Sequence, residues 1–238
     1  MLINHLRHLV WLAAALIAPA QANVVINTTR VIYPASAREV SVSLSNPGEA
    51  PALVQAWLDE GDPNAKPDQT QVPFILLPPI FRLDAKQAQA LRLTYTQSKA
   101  LPTDRESLFW LNVLDIPPKP AEDSNYLQLA IRSRLKLFFR PTGLSPEVAK
   151  APTLLKSRLD GQTLWLDNPS PYHLTLTQLT LVLPQGQQAL TPSSLMLAPF
   201  SRQALPLASP PGKGTLQLTL QSIDDYGALR PQQLAVAR

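Results

Sequence analysis

The chain of 238 residues has no cysteine, only 8 glycines and 3 histidines, and 16% charged residues. The missing cysteine excludes a disulfide framework, a thiolate zinc site, an iron–sulfur cluster and a thiol nucleophile. The shortage of histidine removes much of the remaining catalytic alphabet. His5 and His8 lie in an amino-terminal segment read below as removed, which leaves His173. A single imidazole cannot build a metal centre, and no carboxylate pair stands at ligand spacing around it. As a strand residue facing solvent or packing on Tyr172, it needs no function. No serine sits in Gly-x-Ser-x-Gly, and Gly212-Lys213-Gly214-Thr215 lacks the order of a phosphate loop, so it reads as a turn. Asp224 and Asp225, adjacent on a strand, would point to opposite faces rather than cooperate as an acid–base pair. Taken together, these features argue against an enzyme, a cofactor or a bound metal. A net charge of +4 is mild for this length and gives no case for nucleic acid or a membrane surface as partner.

Proline is what the chain has in excess, with 25 residues, about twice the usual share. With 45% apolar residues the chain still buries a core and is not disordered. Its first residues carry an export signature. Asn4, His5, Arg7 and His8 form a polar, basic start, Leu9 to Ala18 an apolar stretch too short to span a bilayer, and Ala20-Gln21-Ala22 a small-residue cleavage site. Residues 1–22 therefore read as a signal peptide, and the remainder as an exported chain long enough for two domains.

Period-two alternation recurs in both halves: Val40, Val42 and Leu44; Leu91, Leu93 and Tyr95; Leu216, Leu218 and Leu220. Proline-bearing corners such as Asn46-Pro47-Gly48 and Asn168-Pro169 separate these strands and interrupt any helical reading. The spacing predicts an all-β protein of two sandwiches. Strands are expected at 24–33, 38–45, 52–59, 73–82, 89–96, 107–116 and 125–140, the immunoglobulin-like number. A linker follows at 141–152. The second domain, 153–238, should hold strands at 162–168, 173–183, 188–197, 202–207, 214–223 and 231–237.

The stretch from Asn125 to Pro141 alternates for longer than a typical strand of five or six residues. Leu127, Leu129 and Ile131 share one face; Arg132, Arg134 and Lys136 share the other, with no acidic residue nearby. At a sheet edge such a strand offers unpaired backbone and large apolar side chains, an aggregation hazard unless a partner adds to it. From the residues alone, a partner-seeking edge and a covered last strand are equally open.

Together with its neighbours, this strand resembles the periplasmic pilus (fimbrial) assembly chaperones of the chaperone-usher pathway, in their short-loop branch. The most specific match is Leu101-Pro102-Thr103-Asp104-Arg105-Glu106-Ser107-Leu108-Phe109-Trp110-Leu111-Asn112-Val113-Leu114-Asp115-Ile116-Pro117. Thr29-Arg30-Val31-Ile32-Tyr33, Pro78-Pro79-Ile80-Phe81-Arg82-Leu83, Lys136-Leu137-Phe138-Phe139-Arg140-Pro141 and Asp224-Asp225-Tyr226-Gly227 extend it through the chain. The resemblance implies two immunoglobulin-like β-sandwich domains set at an angle, with a cleft between them. It implies that Arg30 and Lys136 anchor the carboxyl terminus of a pilus subunit, and that Leu127, Leu129 and Ile131 are lent to the subunit's open groove. It implies that Glu106, Arg140 and Asp225 bridge the domains, and that a cis bond suits Pro78-Pro79. Partners would be pilus subunits and an outer-membrane usher in the periplasm, or a second copy that caps the strand by dimerising. Lys136 lies an odd number of residues from Leu127 and Ile131, so either the strand bulges or the two groups serve different surfaces, the latter being favoured. A two-domain adhesin or carbohydrate-binding module is the competing expectation.

Overall fold

The computed structural model describes residues 24–119, 127–183, 186–190, 194–212 and 214–238; the expected signal peptide lies outside them. The first domain runs through β1 (Val25–Ile26), β2 (Arg30–Pro34), β3 (Val40–Ser45), β4 (Ala52–Asp59), β5 (Phe74–Leu77), β6 (Ile80–Leu83), β7 (Ala88–Tyr95), β8 (Ser107–Ile116) and β9 (Ile131–Arg140). They form two sheets, ordered β1-β3-β7-β5 and β2-β9-β8-β4-β6. Alternation decides the packing: Val42, Leu44, Leu91 and Leu93 all point inward and are buried.

Two expected strands turn out to change sheet midway. The pass read as 24–33 breaks where the Thr28 hydroxyl donates to the Arg30 carbonyl at 2.6 Å, so β1 joins one sheet and β2 the other. The pass read as 73–82 breaks at Pro78 and Pro79, which have no N–H for a ladder. The cis bond there is Leu77–Pro78, one bond before the one linking the two prolines. With β1/β2 and β5/β6 each counted as one pass, the expected seven passes remain.

Among the leucines and valines of this interior sits a cluster of aromatic rings. Phe74 meets Tyr33, Tyr95, Phe109 and Phe139 at centroid distances of 5.5, 5.4, 5.0 and 6.1 Å. Tyr33 is buried to 1% exposure, and its hydroxyl accepts from the Tyr95 N–H at 3.0 Å and lies within donating distance of the Ala37 and Arg38 carbonyls.

In the second domain a 3-10 helix, Val148–Leu154, occupies the end of the expected linker and buries Ala151 in the second core. There follow β10 (Lys156–Asp160), β11 (Thr163–Asn168), β12 (Leu174–Leu183), β13 (Gly186–Ala189), β14 (Leu195–Leu197), β15 (Ser201–Pro206), β16 (Gln217–Ile223) and β17 (Leu229–Ala237). They make one curled sheet, β13-β12-β16-β17-β10-β11-β15, with β14 also pairing β12. β10 is absent from the sequence reading because one of its two inward positions is Ser157, whose hydroxyl donates to the Ala235 carbonyl at 3.0 Å. The expected strand 188–197 divides into β13 and β14. Leucine fills the interior, with Leu164, Leu166, Leu176, Leu181 and Leu218 all at 0% exposure.

Each domain has one Asn-Pro corner held by a buried amide. Asn46 donates to the Ala50 and Leu83 carbonyls, and Asn168 to the Tyr172 and Ala198 carbonyls. In both, the Asn Oδ1 accepts the N–H two residues on, at Gly48 or Ser170. A short polar side chain thus satisfies backbone that the proline takes out of the ladder.

Candidate functional site

β9 has two unlike halves. From Lys136 to Arg140 it lies between β8 and β2, pairing parallel with β2 from Arg30↔Lys136 to Pro34↔Arg140. From Ile131 to Leu135 it pairs with β8 alone. The strand begins at Ile131, later than the expected 125. Residues 127–130 continue the chain outside any ladder, with the Gln128 side chain donating to the Pro117 carbonyl at 2.8 Å, and Asn125 and Tyr126 lie outside the described residues. Leu127, Leu129 and Ile131 are 82%, 62% and 52% exposed, an apolar series with little protein to cover it.

The β8–β9 register runs without a shift from Asp115↔Ile131 to Ser107↔Phe139. With no bulge, odd positions from Ser133 to Phe139 face the aromatic core and even positions face away, so Lys136 and Ile131 serve different surfaces.

The even face is a ladder of cations and rings. The Arg132 guanidinium lies 4.8 Å from the Trp57 ring and donates to Asn112 Oδ1 at 2.6 and 3.0 Å. Arg134 lies 4.3 Å from the Trp110 ring and pairs with the buried Asp59 at 2.5 Å. Burial would raise the Asp59 carboxyl, but hydrogen bonds from Arg134, Asn112 and the Gly61 N–H outweigh it and hold it below the usual carboxylate range. These contacts hold the half of β9 that lacks its second neighbour.

Further along the same face, β9 meets the second domain. Lys136 Nζ reaches Thr175 Oγ1 at 3.2 Å, and Arg30 donates to the Ile223 carbonyl at 3.2 Å. Register sets these two cations side by side. Among the described residues neither has an ion-pair partner, and Arg30 Nε is buried without a hydrogen bond. Burial first, then the charge of Arg30, push the Lys136 ammonium down to about 8. A cavity of about 460 Å³ opens beside Arg30, its lining including Phe138 and Ile223 together with Glu106, Arg140, Asp224 and Asp225.

Glu106, Arg140 and Asp225 meet across the same junction. Arg140 donates to Glu106 at 2.7 Å and forks onto Asp225 at 2.7 and 2.8 Å. Burial lowers the Arg140 pKa, but the two carboxylates outweigh it and leave it raised. Glu106 is 4% exposed and spends its other oxygen on the second domain, accepting the His173 N–H at 2.9 Å, while its own N–H donates to the Pro171 carbonyl at 2.9 Å.

Sequence reasoning misplaced His173. It neither faces solvent nor packs on Tyr172; its ring lies in the junction, 5.4 Å from Phe138, with Nδ1 3.4 Å from Glu106. The Tyr172 hydroxyl turns the other way, to the Pro146 carbonyl at 2.9 Å. Asp224 and Asp225 diverge as expected, but from a turn rather than a strand. Asp224 accepts the N–H groups of Tyr226 and Ala228 and pairs with Arg230, leaving Asp225 for Arg140. Thr175 was also missed, being an ordinary alternating residue until the other domain is set against it.

Among the described residues no three of histidine, aspartate and glutamate group closely enough to hold a metal ion, and no helix is long and apolar enough to cross a membrane. Two immunoglobulin-like sandwiches, a junction cavity lined by three arginines and three carboxylates, and a half-covered apolar strand define the class of the fold. Comparison narrows this class. The family described as pili and flagellar-assembly chaperone, PapD N-terminal domain, matches residues 23–145, and the pili assembly chaperone PapD C-terminal domain matches 150–234. Chaperone protein FimB/FhaD of Bordetella pertussis is 47% identical over 231 residues, covering 94% of this chain and 92% of that one. The Pseudomonas aeruginosa CupB2 chaperone crystal structure superposes with a TM-score of 0.77 at 33% identity, over 90% of this chain and 100% of that one. The SafB chaperone, solved in complex with the Salmonella enterica SafA pilin, gives a TM-score of 0.74 at 28% identity over 92% and 98%. The chain belongs to the chaperone-usher pilus-assembly chaperone family.

Proposed function

We propose that this chain is a periplasmic, non-enzymatic chaperone that binds, folds and caps pilus subunits and delivers them to an outer-membrane usher. In this reading residues 1–22 are the signal, 23–140 the chaperone domain, 141–152 the linker and 153–238 the second sandwich. The observation that carries it is the pair Arg30 and Lys136, adjacent, partly desolvated and, among the described residues, with no carboxylate within ion-pair distance, at the point where β9 becomes half-open. A carboxylate is the ligand such a pair lacks. Two converging cations give it short charge-assisted hydrogen bonds, strengthened by the low dielectric of the cleft. A subunit held there by its last residue would lie along the free half of β9.

Leu127, Leu129 and Ile131 would then fill the groove of a subunit that lacks a strand. Burying three such side chains contributes about 5 to 9 kcal/mol gross, less the costs of ordering and association. Glu106, Arg140 and Asp225 hold the interdomain angle and touch no subunit. The pilin bound in the SafB complex supports the kind of partner.

The test is co-expression with a cognate subunit. Arg30→Ala and Lys136→Ala should leave the chaperone folded while soluble subunit falls about 10- to 100-fold, the range for losing a charged hydrogen-bond partner. Unchanged subunit recovery from either variant would sink the reading, and saturable binding of a glycan by the isolated protein would favour the adhesin instead.

A further inference from the structure

β2 begins where the free edge of β9 ends. Its first pair is Arg30↔Lys136 and it runs parallel to β9 as far as Pro34↔Arg140, whereas from Ile131 to Leu135 that side of β9 has no neighbour among the described residues. A foreign strand laid parallel along the free half runs in line with β2 and stops at the Arg30–Lys136 pair. Only a chain end fits there. Past that stop lies the cavity of about 460 Å³, bordered by Arg30 and by Ile223, whose carbonyl accepts from Arg30 at 3.2 Å. Its volume is that of an ordinary ligand pocket, about 300–1,000 Å³. Apart from Arg30 the charged lining is paired within itself: Arg140 with Glu106 and Asp225, Arg230 with Asp224. Between these pairs the wall is apolar, with Phe138, Val148, Pro152, Leu174 and Ile223.

Tyr226 also lines the cavity, yet is 92% exposed. Its backbone is fixed from both sides. Asp224 accepts its N–H at 3.0 Å and Arg140 holds Asp225. Gly227, at φ +85°, lies so close to Thr29 that a Cβ there would collide with the threonine hydroxyl. A ring left in solvent on so fixed a base has apolar surface to offer a ligand and little backbone freedom to lose.

We propose that this cavity receives the side chain of a bound subunit's last residue, and that Tyr226 closes over it and selects bulky uncharged side chains, aliphatic or aromatic. The inference rests on the reading of Arg30 and Lys136 as the carboxylate anchor, and adds what that anchor discriminates. A charged last side chain would lose its water and meet ion pairs that already satisfy one another, so it gains no partner. A small one leaves the apolar wall wet.

The probe is a synthetic decapeptide of alternating apolar residues that ends in Leu, Phe, Ala or Asp with a free carboxylate, the Leu form being made also as the carboxyl-terminal amide. Affinity for the exported protein is read by calorimetry. The Leu and Phe acids should bind about 10- to 50-fold tighter than the Ala acid, from three or more extra buried carbons, and the Asp acid no tighter than Ala. In Tyr226→Ala the ratio of Leu to Ala should shrink to about threefold, and Tyr226→Phe, which keeps the ring, should restore it. A side chain this exposed can be changed without unfolding the domain. Leu and Ala acids of equal affinity, with the amide weaker, would overturn the proposal and leave the anchor standing. A ratio that persists in Tyr226→Ala would overturn the role given to Tyr226. Acid and amide of equal affinity, or no binding by any of the peptides, would count against the anchor itself.

Discussion

An aromatic cluster sits among the aliphatic side chains of the first core, whereas the second core is almost entirely leucine. Around Phe74 four aromatic neighbours sit at set distances and angles, whereas Leu164, Leu166, Leu176 and Leu181 pack side chains of one shape. Flat rings prefer edge-to-face or offset contacts, so an aromatic core fixes directions as well as volume. Tyr33 belongs to β2 and Phe139 to β9, stacked at 5.9 Å, and these are the strands that carry Arg30 and Lys136. The domain that carries these two cations has the directional cluster in its interior. The other supplies Thr175, the Ile223 carbonyl and Asp225 as backing, for which a volume-filling core suffices.

The largest test of that contrast is Phe74→Ala, expected to cost about 3–5 kcal/mol. Phe74→Leu should still cost more than Leu176→Met, which conserves volume and should stay below about 1.5 kcal/mol. Urea unfolding followed on Trp57 and Trp110 for the first domain, and on Trp165 for the second, separates the two; equal losses would dissolve the distinction. Next is Glu106→Ala, which leaves the His173 N–H and part of Arg140 without an acceptor at a cost of about 1–3 kcal/mol. It should split one unfolding transition into two, and small-angle scattering should detect a wider spread of interdomain angles.

Lys136 gives an effect of about 1.4 kcal/mol, tenfold in affinity per pH unit at most. The free group titrates near 8, below the ordinary lysine value of 10.5, and a bound carboxylate would raise it. Binding therefore takes up a proton above pH 8, and affinity for a peptide ending in a free carboxylate should fall as pH rises through that value. The free chain behaves oppositely. Its cost of holding a buried ammonium is present below 8 and lifted between 8 and 10.5, so folding stability should rise there. Affinity that is flat from pH 7 to 9.5 would contradict this. Smallest is Arg132→Ala, about 0.5–1 kcal/mol for a partly exposed stacked cation, seen as faster amide exchange from Ile131 to Leu135. Arg132→Lys should not restore protection, because lysine cannot fork onto Asn112 while lying on Trp57.

Strand existence was legible wherever apolar residues alternated, because alternation is itself the act of burying one face. Sheet exchange was not. Nothing in Val25-Ile26-Asn27-Thr28 distinguishes a straight strand from one that leaves its sheet, since the choice depends on which neighbour is present. β10 was hidden by Ser157, a polar residue at an inward position made tolerable by one hydrogen bond from another strand. His173 and Thr175 were invisible as junction residues for the same reason, because their surroundings are supplied by a domain distant in sequence. Arg30, Lys136, Glu106, Arg140 and Asp225 came from resemblance, not from spacing, and the fold brings all five to one junction.

The unbroken register of β9 makes it a measuring stick. At about 3.3 Å per residue, Ile131 lies about 16 Å from Lys136 along the strand. Anything held by its last atom at Lys136 would thus meet Ile131 at a set distance and always on the same side. Adding one residue between them would not merely lengthen the gauge; it would turn every upstream side chain to the opposite face.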